Sequence, residues 1–271
     1  MPETVSGQAE AGLLAATDPP PFDLVNPDGR LELLLLCDHA ASAVPTALNG
    51  LGLDPAVLLR HIGWDIGAAA AARALAGKLD APAVLSGYSR LVIDCNRAAD
   101  DPTLIPTVSD GVAVPGNQEL SAADKRARAE ACFWPYHRAI EAQLDRAAAQ
   151  SVAPAIISIH SFTPQMGGVD RPWQIGILWD RDPRMPMPLL NGLAAVPGLV
   201  IGDNQPYSAR DPEGFTLRHH AMPRGLAHVL IELRQNEIDT EAGALRFAEY
   251  LEAALRPILD DPQLYRPALY L

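Results

Sequence analysis

Cysteine is scarce in this sequence. The 271 residues contain only three, Cys37, Cys95 and Cys132, and no two of them form a CxxC pair. Small secreted scaffolds that depend on disulfides carry many cysteines, usually in even numbers. The odd count and the spacing therefore argue against a disulfide framework. We expect a protein of a reducing compartment, the cytoplasm.

Basic residues are also few. The chain has 21 Lys and Arg against 33 Asp and Glu, a formal net charge of −12. A general nucleic-acid binder needs a basic face that displaces phosphate counterions, so this class is disfavoured. The sequence lacks both an apolar run of about 18 residues and a basic segment ahead of an apolar N-terminal core. We expect a soluble protein that binds a small molecule and neither nucleic acid nor a membrane, while its oligomeric state stays open.

Apolar segments of two kinds alternate along the chain. Short continuous apolar runs predict strands buried on both faces, at 31–37, 82–85, 91–95, 154–160, 174–179, 199–201 and 227–233. Helices are predicted over 55–79, 121–150 with a break at Pro135, 186–195 and 240–259. This order predicts an α/β fold, a single three-layer α/β/α domain with a mainly parallel mixed sheet over residues 31–271. Residues 1–30, with three consecutive prolines, are expected to form an extended, loosely attached lead-in.

Polar residues end three of the predicted strands. His39 follows the first, His160 and Ser161 end a central one, and Glu232 lies in the last. Ligands of parallel sheets bind beyond the carboxyl ends of the strands, so two histidines and a carboxylate there predict a metal site. The alternative is that each histidine satisfies loop backbone groups.

Glu232 lies among apolar residues, where a carboxylate needs a cation, a metal or a proton. Strand alternation puts Leu230, Glu232 and Arg234 on one side of the sheet. Glu232 is therefore interpreted as a general base beside a metal-activated water, or else as the partner of Arg234 in a structural ion pair.

Two arginines bracket the segment 88–97. Arg90 and Arg97, with Asn96 beside the second, are of the types that grip a substrate carboxylate. An ion pair with Asp94 is the alternative for either arginine.

Taken in order, the motifs at 38–40, 88–97, 159–161 and 231–234 resemble those of the N-formylglutamate amidohydrolase family, from about Leu33 to Ile238. That family is similar in turn to zinc carboxypeptidases and to succinylglutamate or aspartate deacylases. The resemblance implies a phosphorylase/hydrolase-like, zinc carboxypeptidase-like fold and a zinc-dependent amidohydrolase. Its implied reaction converts N-formyl-L-glutamate and water to formate and L-glutamate, as in histidine degradation. Asn96 and Arg97 would hold the α-carboxylate and Glu232 would be the base.

The third metal ligand is not given by the resemblance. Zinc carboxypeptidases use a His-x-x-Glu turn, whereas Ser42 stands three residues after His39. Asp65 is the first candidate, His61 the second because a helix would put both on one face, and Asp38 stays open. Another divalent metal than zinc is compatible with such ligands.

The remaining candidates are polar groups that would contact substrate. Arg90 is expected to stabilise the oxyanion, Arg218 or Arg234 to meet a second carboxylate, and Ser161 to bind substrate; His219 or His220 would donate to the oxyanion. His137 and His228 are interpreted as structural. Two other functions fit the same residues: a metallo-carboxypeptidase or deacylase of a longer acyl group, and a non-catalytic carboxylate sensor.

Overall fold

The computed structural model describes residues 12–210 and 214–270. Residues 1–11 of the expected lead-in lie outside this part of the chain. The strands are β1 (Phe22–Val25), β2 (Leu33–Cys37), β3 (Ala83–Ser86), β4 (Val108–Ser109), β5 (Val112–Ala113), β6 (Ala155–Phe162), β7 (Gln165–Met166), β8 (Val169–Asp170), β9 (Ile175–Leu178), β10 (Ile201–Asp203) and β11 (His228–Arg234). The helices are α1 (Pro55–Leu58), α2 (Ala68–Leu79), α3 (Ala122–Arg128), α4 (Trp134–Ala148), α5 (Pro186–Ala194), α6 (Thr216–His220), α7 (Gln235–Ile238) and α8 (Glu241–Leu259).

One seven-stranded sheet runs through the molecule in the order β1-β3-β2-β6-β11-β9-β10. The four central strands, β3, β2, β6 and β11, are mutually parallel. The outer strands β1 and β9 each pair antiparallel with their inner neighbour, and β10 pairs parallel with β9. The expected mainly parallel mixed sheet is confirmed. Two separate two-stranded sheets, β4–β5 and β7–β8, have strands of two residues each.

Helices cover both faces of this sheet, which explains why its central strands consist mainly of apolar residues. In β2, Leu33 and Leu35 belong to a core shared with α2, α5 and α8. Leu34 and Leu36 face the opposite way, into a second core that includes residues of α4. Because successive side chains of a strand alternate between faces, a run of five apolar residues fills both cores. No helix of the described residues has the length and apolarity needed to cross a membrane.

The predicted helix over 55–79 is interrupted, which corrects the sequence interpretation. It consists of α1 and α2, separated by turns over 59–67. Gly63 packs so closely against the Leu58 carbonyl that a side chain there would collide with it, and Gly67 has a φ of 81°. Both positions require glycine because an L side chain would clash or be strained. Asp65 and His61 therefore lie in turns, and the argument that they share a helical face is wrong.

The predicted strand at 91–95 is also absent, and the segment forms consecutive turns. Ser89 Oγ accepts from the Leu91 amide and Asp94 Oδ1 from the Asn96 amide. Such bonds to the backbone two residues on favour turns over sheet pairing.

Three further segments differ in their bounds. The lead-in adds the edge strand β1 to the sheet, and a strand lies at 201–203 rather than 199–201. The structure also contains α6, a short helix that the sequence interpretation does not include. The break near Pro135 takes the form of a π-helical turn, Ala129–Phe133, immediately before α4.

Candidate active site

The carboxyl ends of the parallel strands meet at one edge of the sheet, where a cavity of about 840 Å³ opens. In the register of β6 and β11, His160 is the partner of Glu232. Asp38 and His39 directly follow β2, the neighbour of β6. All four residues line the cavity, as the rule for ligand sites of parallel sheets predicts.

Two histidines converge on one carboxylate oxygen. His160 Nδ1 lies 2.9 Å, and His39 Nδ1 3.4 Å, from Oδ2 of Asp65. The turn at 59–67 delivers Asp65, whose backbone amide donates to the carbonyl of His39. All three side chains are buried, and each offers a ligand atom within 4.8 Å of the others. This geometry gives an N, N, O donor set that could hold a metal ion.

The other nitrogen of each histidine ring contacts a further buried aspartate, a different one for each ring. His39 Nε2 lies 2.7 Å from Oδ1 of Asp94, and His160 Nε2 lies 2.9 Å from Oδ2 of Asp38. Metal-bound histidines usually donate their second ring N–H to a carboxylate, which fixes the tautomer and the orientation of the ring. Both Nδ1 atoms are thereby turned toward Asp65.

Asp38 is fixed by several donors in turn. Its Oδ1 accepts hydrogen bonds from the hydroxyls of Tyr136 and Thr216, at 2.9 and 2.6 Å. Its Oδ2 accepts from Ser158 Oγ at 3.1 Å. Asp38 was an open candidate for the third metal ligand, but its oxygens are occupied by these groups and by His160.

The charges of this cluster favour ionised side chains. Burial alone would raise the pKa of Asp38, but the hydrogen bond and charge of His160 outweigh it and hold that pKa well below its ordinary value. Burial and the charge of Arg90 oppose protonation of His39, yet Asp94 and Asp65 outweigh them and raise its pKa. The cluster is therefore rich in negative charge and stabilises a cation placed among its oxygens.

Glu232 differs from these aspartates. Among the described residues, its Oε2 has no hydrogen-bond partner although the atom is buried. Burial raises the pKa of Glu232 to about 7; the charge of His160 opposes this shift and that of Asp65 adds to it. A carboxyl group poised near neutrality in a cavity has the protonation behaviour that a general acid and base needs.

Arg90 lies at the rim of the cluster and is already ion-paired. Its Nη2 lies 2.9 Å from Oδ2 of Asp94, and its Nη1 lies 3.6 Å from Oδ1 of Asp65. The ion pair with Asp94 that the sequence left as an alternative is thus present. Arg90, Arg97 and Arg218 all line the cavity.

The same fold occurs in a solved structure. A family model described as N-formylglutamate amidohydrolase matches residues 31–238, more than half of the chain. This chain belongs to the N-formylglutamate amidohydrolase family. The matched range agrees with the span of the resemblance found in the sequence.

Individual proteins also resemble this chain. An N-formylglutamate deformylase of Pseudomonas aeruginosa is 26% identical over 246 residues, 85% of this chain and 91% of the relative. The crystal structure of an Agrobacterium tumefaciens gene product is 34% identical with a TM-score of 0.87, and covers 91% of this chain and 98% of its own. An N-formylglutamate amidohydrolase of Ralstonia eutropha shares the fold at 20% identity, with a TM-score of 0.58 over 86% of this chain and 98% of its own.

Two residues expected to contact substrate lie elsewhere in this family member. Arg234 pairs with Glu237 at 2.7 Å and donates to the carbonyls at 171 and 172, so it does not line the cavity. His219 is exposed on α6, stacks on Phe215 and also lies outside the cavity. Leu230 and Glu232 line the cavity, whereas Arg234 at the end of β11 does not, because its side chain binds Glu237 and two backbone carbonyls.

Three other expected residues line the cavity but have structural contacts. Asn96 Oδ1 accepts from the amides of Phe215 and Thr216 at the start of α6, at 2.8 and 3.0 Å. Ser161 donates its amide to Asp65 and its hydroxyl to the carbonyl of residue 66. His61 contacts Asp110 at 3.1 Å rather than His39 or His160.

Sequence reasoning missed the residues that hold the histidines. The sequence interpretation predicts Asp94 only as an arginine partner and predicts neither Tyr136 nor Thr216 as a partner of Asp38. The separations involved, 55 residues for His39 and Asp94 and 98 for Asp38 and Tyr136, leave no local pattern. A polar residue within an apolar run, such as Ser158 in β6, is a local signal that a buried polar partner lies nearby.

Proposed function

We propose that the protein hydrolyses the N-formyl amide of an acidic amino acid, with N-formyl-L-glutamate as the substrate and formate and L-glutamate as the products. The convergence of His39 and His160 on Asp65, beside an unpartnered oxygen of Glu232 in the same cavity, carries the proposal. Family membership and the name of the Pseudomonas aeruginosa relative support the choice of substrate.

His39, His160 and Asp65 would hold a divalent metal, zinc in the first instance. The donor set fits, because two imidazole nitrogens and one carboxylate oxygen are frequent catalytic zinc ligands and leave a fourth position open. The outer aspartates Asp38 and Asp94 match the carboxylate–histidine arrangement of metal sites. When bound, such an ion supplies Lewis acidity that lowers the pKa of water at the site toward neutrality.

Glu232 acts as the proton carrier of the reaction. Its carboxylate takes a proton from the water that attacks the formyl carbon, and a C–O bond forms. It then returns the proton to the amide nitrogen as the C–N bond breaks, which releases the amine of glutamate and formate. A pKa near 7 suits both directions of this transfer.

Arginines of the cavity bind the anionic substrate. Seven carboxylates and three arginines are among the described residues that line the cavity, so a dianion is attracted only where positive charge is concentrated. We assign the α-carboxylate to Arg97 and Asn96 and the side-chain carboxylate to Arg218. Arg90, oriented by Asp94 and Asp65, faces the developing oxyanion.

The test is release of formate from N-formyl-L-glutamate by the purified protein, before and after removal of metal with a chelator. We expect activity to be lost on chelation and restored by zinc. Asp65→Asn is expected to abolish the restoration, whereas Asp145→Asn, an exposed aspartate on α4, serves as the matched control and keeps it.

Two outcomes separate the parts of this proposal. Full activity of the chelated protein would refute the metal dependence but not the substrate. Absence of formate release with zinc present would refute the substrate. Turnover rates on a panel of N-formyl, N-acetyl, N-succinyl and dipeptide substrates then distinguish a deformylase from a deacylase or carboxypeptidase. Binding of these compounds without turnover identifies a carboxylate sensor.

A further inference from the structure

A second cluster of metal-ligating side chains lies outside the cavity, between α4 and α6. It consists of Glu141 on α4 and His219 and His220 on α6, and is called here the α4–α6 cluster. Each residue offers a ligand atom within 4.8 Å of the others, and Oε1 of Glu141 lies 3.9 Å from Nε2 of His219. His219 is exposed at the surface, whereas His220 is completely buried.

The hydrogen bonds behind the cluster fix the tautomer of His220. Nε2 of His137 lies 3.0 Å from the carbonyl oxygen of Cys95, an acceptor, so this nitrogen carries a hydrogen. Nδ1 of His137 lies 2.9 Å from Nε2 of His220, so one of these two atoms donates and the other accepts. If His137 donated from both nitrogens, His220 would hold its hydrogen on Nδ1.

Nδ1 of His220 is a buried atom that has no hydrogen-bond partner among the described residues. A buried N–H without an acceptor is costly, so the arrangement with Nε2–H of His220 donating to His137 is favoured. Nδ1 of His220 then carries a lone pair and no hydrogen. A lone pair on a neutral imidazole, beside a second histidine and a carboxylate, is what a transition-metal ion coordinates.

We propose that Glu141, His219 and His220 form a second divalent-metal site, suited to zinc, that joins α4 to α6. The three side chains supply N, N and O ligands, and the exposure of His219 leaves the fourth position to water. His137 is the outer partner that orients His220, the same role that Asp38 and Asp94 have for the cavity histidines. Arg224 donates to the carbonyls of His219 and His220 and fixes the backbone that carries both ligands.

The position of the α4–α6 cluster gives it a structural effect on the cavity. α6 carries Thr216, whose hydroxyl donates to Asp38, and α4 carries Tyr136, which donates to the same carboxylate. An ion between the two helices would hold both donors in place without touching substrate. The site is thus a positioning element, and its existence does not depend on the proposed activity.

The experiment is zinc stoichiometry by elemental analysis, after the protein has been stripped with a chelator, reloaded with zinc and desalted. We expect two equivalents in the wild type, one in His219→Ala, one in Asp65→Asn and none in the double variant. His219 is exposed, so its replacement leaves the core intact. Glu130→Gln, an exposed glutamate beside α4, is the matched control and keeps two equivalents.

Thermal unfolding provides the second readout. In the Asp65→Asn background, zinc is expected to raise the midpoint of unfolding, and His219→Ala or Glu141→Gln is expected to remove that rise. The proposal is overturned if His219→Ala binds as much zinc as the wild type. A third result is also informative: the wild type and Asp65→Asn each bind one equivalent of zinc, and His219→Ala binds none. That result would support the α4–α6 cluster and refute the metal site of the cavity.

Discussion

At the scale of single residues, Glu232 is set apart from the aspartates around it by what it lacks. Asp38, Asp65 and Asp94 each accept hydrogen bonds from a histidine, and these partners hold the pKa of each carboxyl low against the effect of burial. Oε2 of Glu232 has no such donor among the described residues. Burial therefore dominates and raises its pKa to about 7.

The first prediction concerns the loss of this carboxylate. Glu232→Gln keeps the shape of the side chain and removes its ability to accept a proton, so we expect kcat for formate release to fall by about 10²- to 10⁴-fold. KM is expected to change little, because the assigned carboxylate contacts come from arginines. Glu249→Gln, at an exposed position on α8, is the control, and equal losses in both variants would contradict the assigned role.

The pH profile of the wild type checks the same assignment. A general base acts when deprotonated, so kcat/KM is expected to rise with pH through a midpoint at or below about 7, the pKa of Glu232 without a cation beside it. A bound cation shifts the midpoint downward because it favours the carboxylate. A profile that is flat from pH 5 to 8 would contradict the assignment.

The second prediction concerns the outer carboxylate of His160. Asp38→Asn retains the size of the side chain but replaces a charged acceptor 2.9 Å from Nε2 of His160. The free zinc concentration that restores half of the activity is expected to rise by about 10- to 100-fold, as for other outer-carboxylate replacements. Because activity is measured, the result reports on the cavity alone. If that zinc concentration is the same in Asp38→Asn and the wild type, Asp38 does not support the metal ligand.

At the scale of elements, α6 connects two parts of the molecule. It has only five residues, and its first amides, those of Phe215 and Thr216, donate to Asn96 Oδ1 from a distant turn. Short helices are marginal on their own and need such partners for their first N–H groups. The loop residue Asn96 therefore takes part in the stability of α6 as well as lining the cavity.

The third prediction separates these two roles of Asn96. Asn96→Ala removes the side-chain acceptor that the two amides share, although the Phe215 amide keeps its bond to the backbone carbonyl of residue 96. The variant is expected to lower the free energy of unfolding by about 1 kcal/mol, measured by urea denaturation. Asn96→Asp keeps an acceptor and is expected to recover most of that stability. It is also expected to raise KM, because it places a negative charge beside the assigned substrate carboxylate. Equal stability of the two variants would contradict the capping role.

Elements were predictable from the sequence where one local pattern dominated. The apolar runs of β2, β6 and β11 and the helical period of α8 gave elements whose bounds agree within about two residues. The turns at 59–67 and 91–95 differ from the predicted helix and strand. Their conformation depends on a close approach of Gly63 to Leu58 and on side-chain acceptors at Ser89 and Asp94, which apolar periodicity does not register.

At the scale of the whole molecule, the net charge and the charges of the cavity act on a substrate over different distances. The formal charge of −12 acts at a distance and is screened by salt beyond roughly 8–10 Å. Binding of an anion therefore depends on charges inside the cavity, where the described lining residues include Arg90, Arg97 and Arg218 together with seven carboxylates. A cation held by His39, His160 and Asp65 would add to this local positive charge.

The fourth prediction concerns stability against acid. His228 begins β11, and burial lowers its pKa from the ordinary 6.5, although its hydrogen bond to the Leu226 carbonyl opposes the shift. Above about pH 6.5 the ring is neutral in both folded and unfolded chains, so its full contribution to stability is present. As the pH falls below that value, the unfolded chain takes up the proton first, and stability is lost by at most about 1.4 kcal/mol per pH unit.

The difference between wild type and His228→Gln isolates this residue from the other titrating groups. The stability advantage of the wild type, measured as the free energy of unfolding in urea, is expected to shrink between pH 7.5 and 5. An advantage that is constant or grows over this range would show that His228 is protonated in the folded protein.

The sequence alone determined the fold class, the family and the edge of the sheet where the site lies. These depend on patterns within a few residues, such as apolar runs that end in Asp38, His39 and His160, and on short motifs in a fixed order. Only the tertiary structure decided that Asp65 lies with both histidines and that Asp38 and Asp94 hold them. The physical reason is distance along the chain, because contacts between residues 26 to 122 positions apart depend on how strands and turns pack, and no local pattern records that.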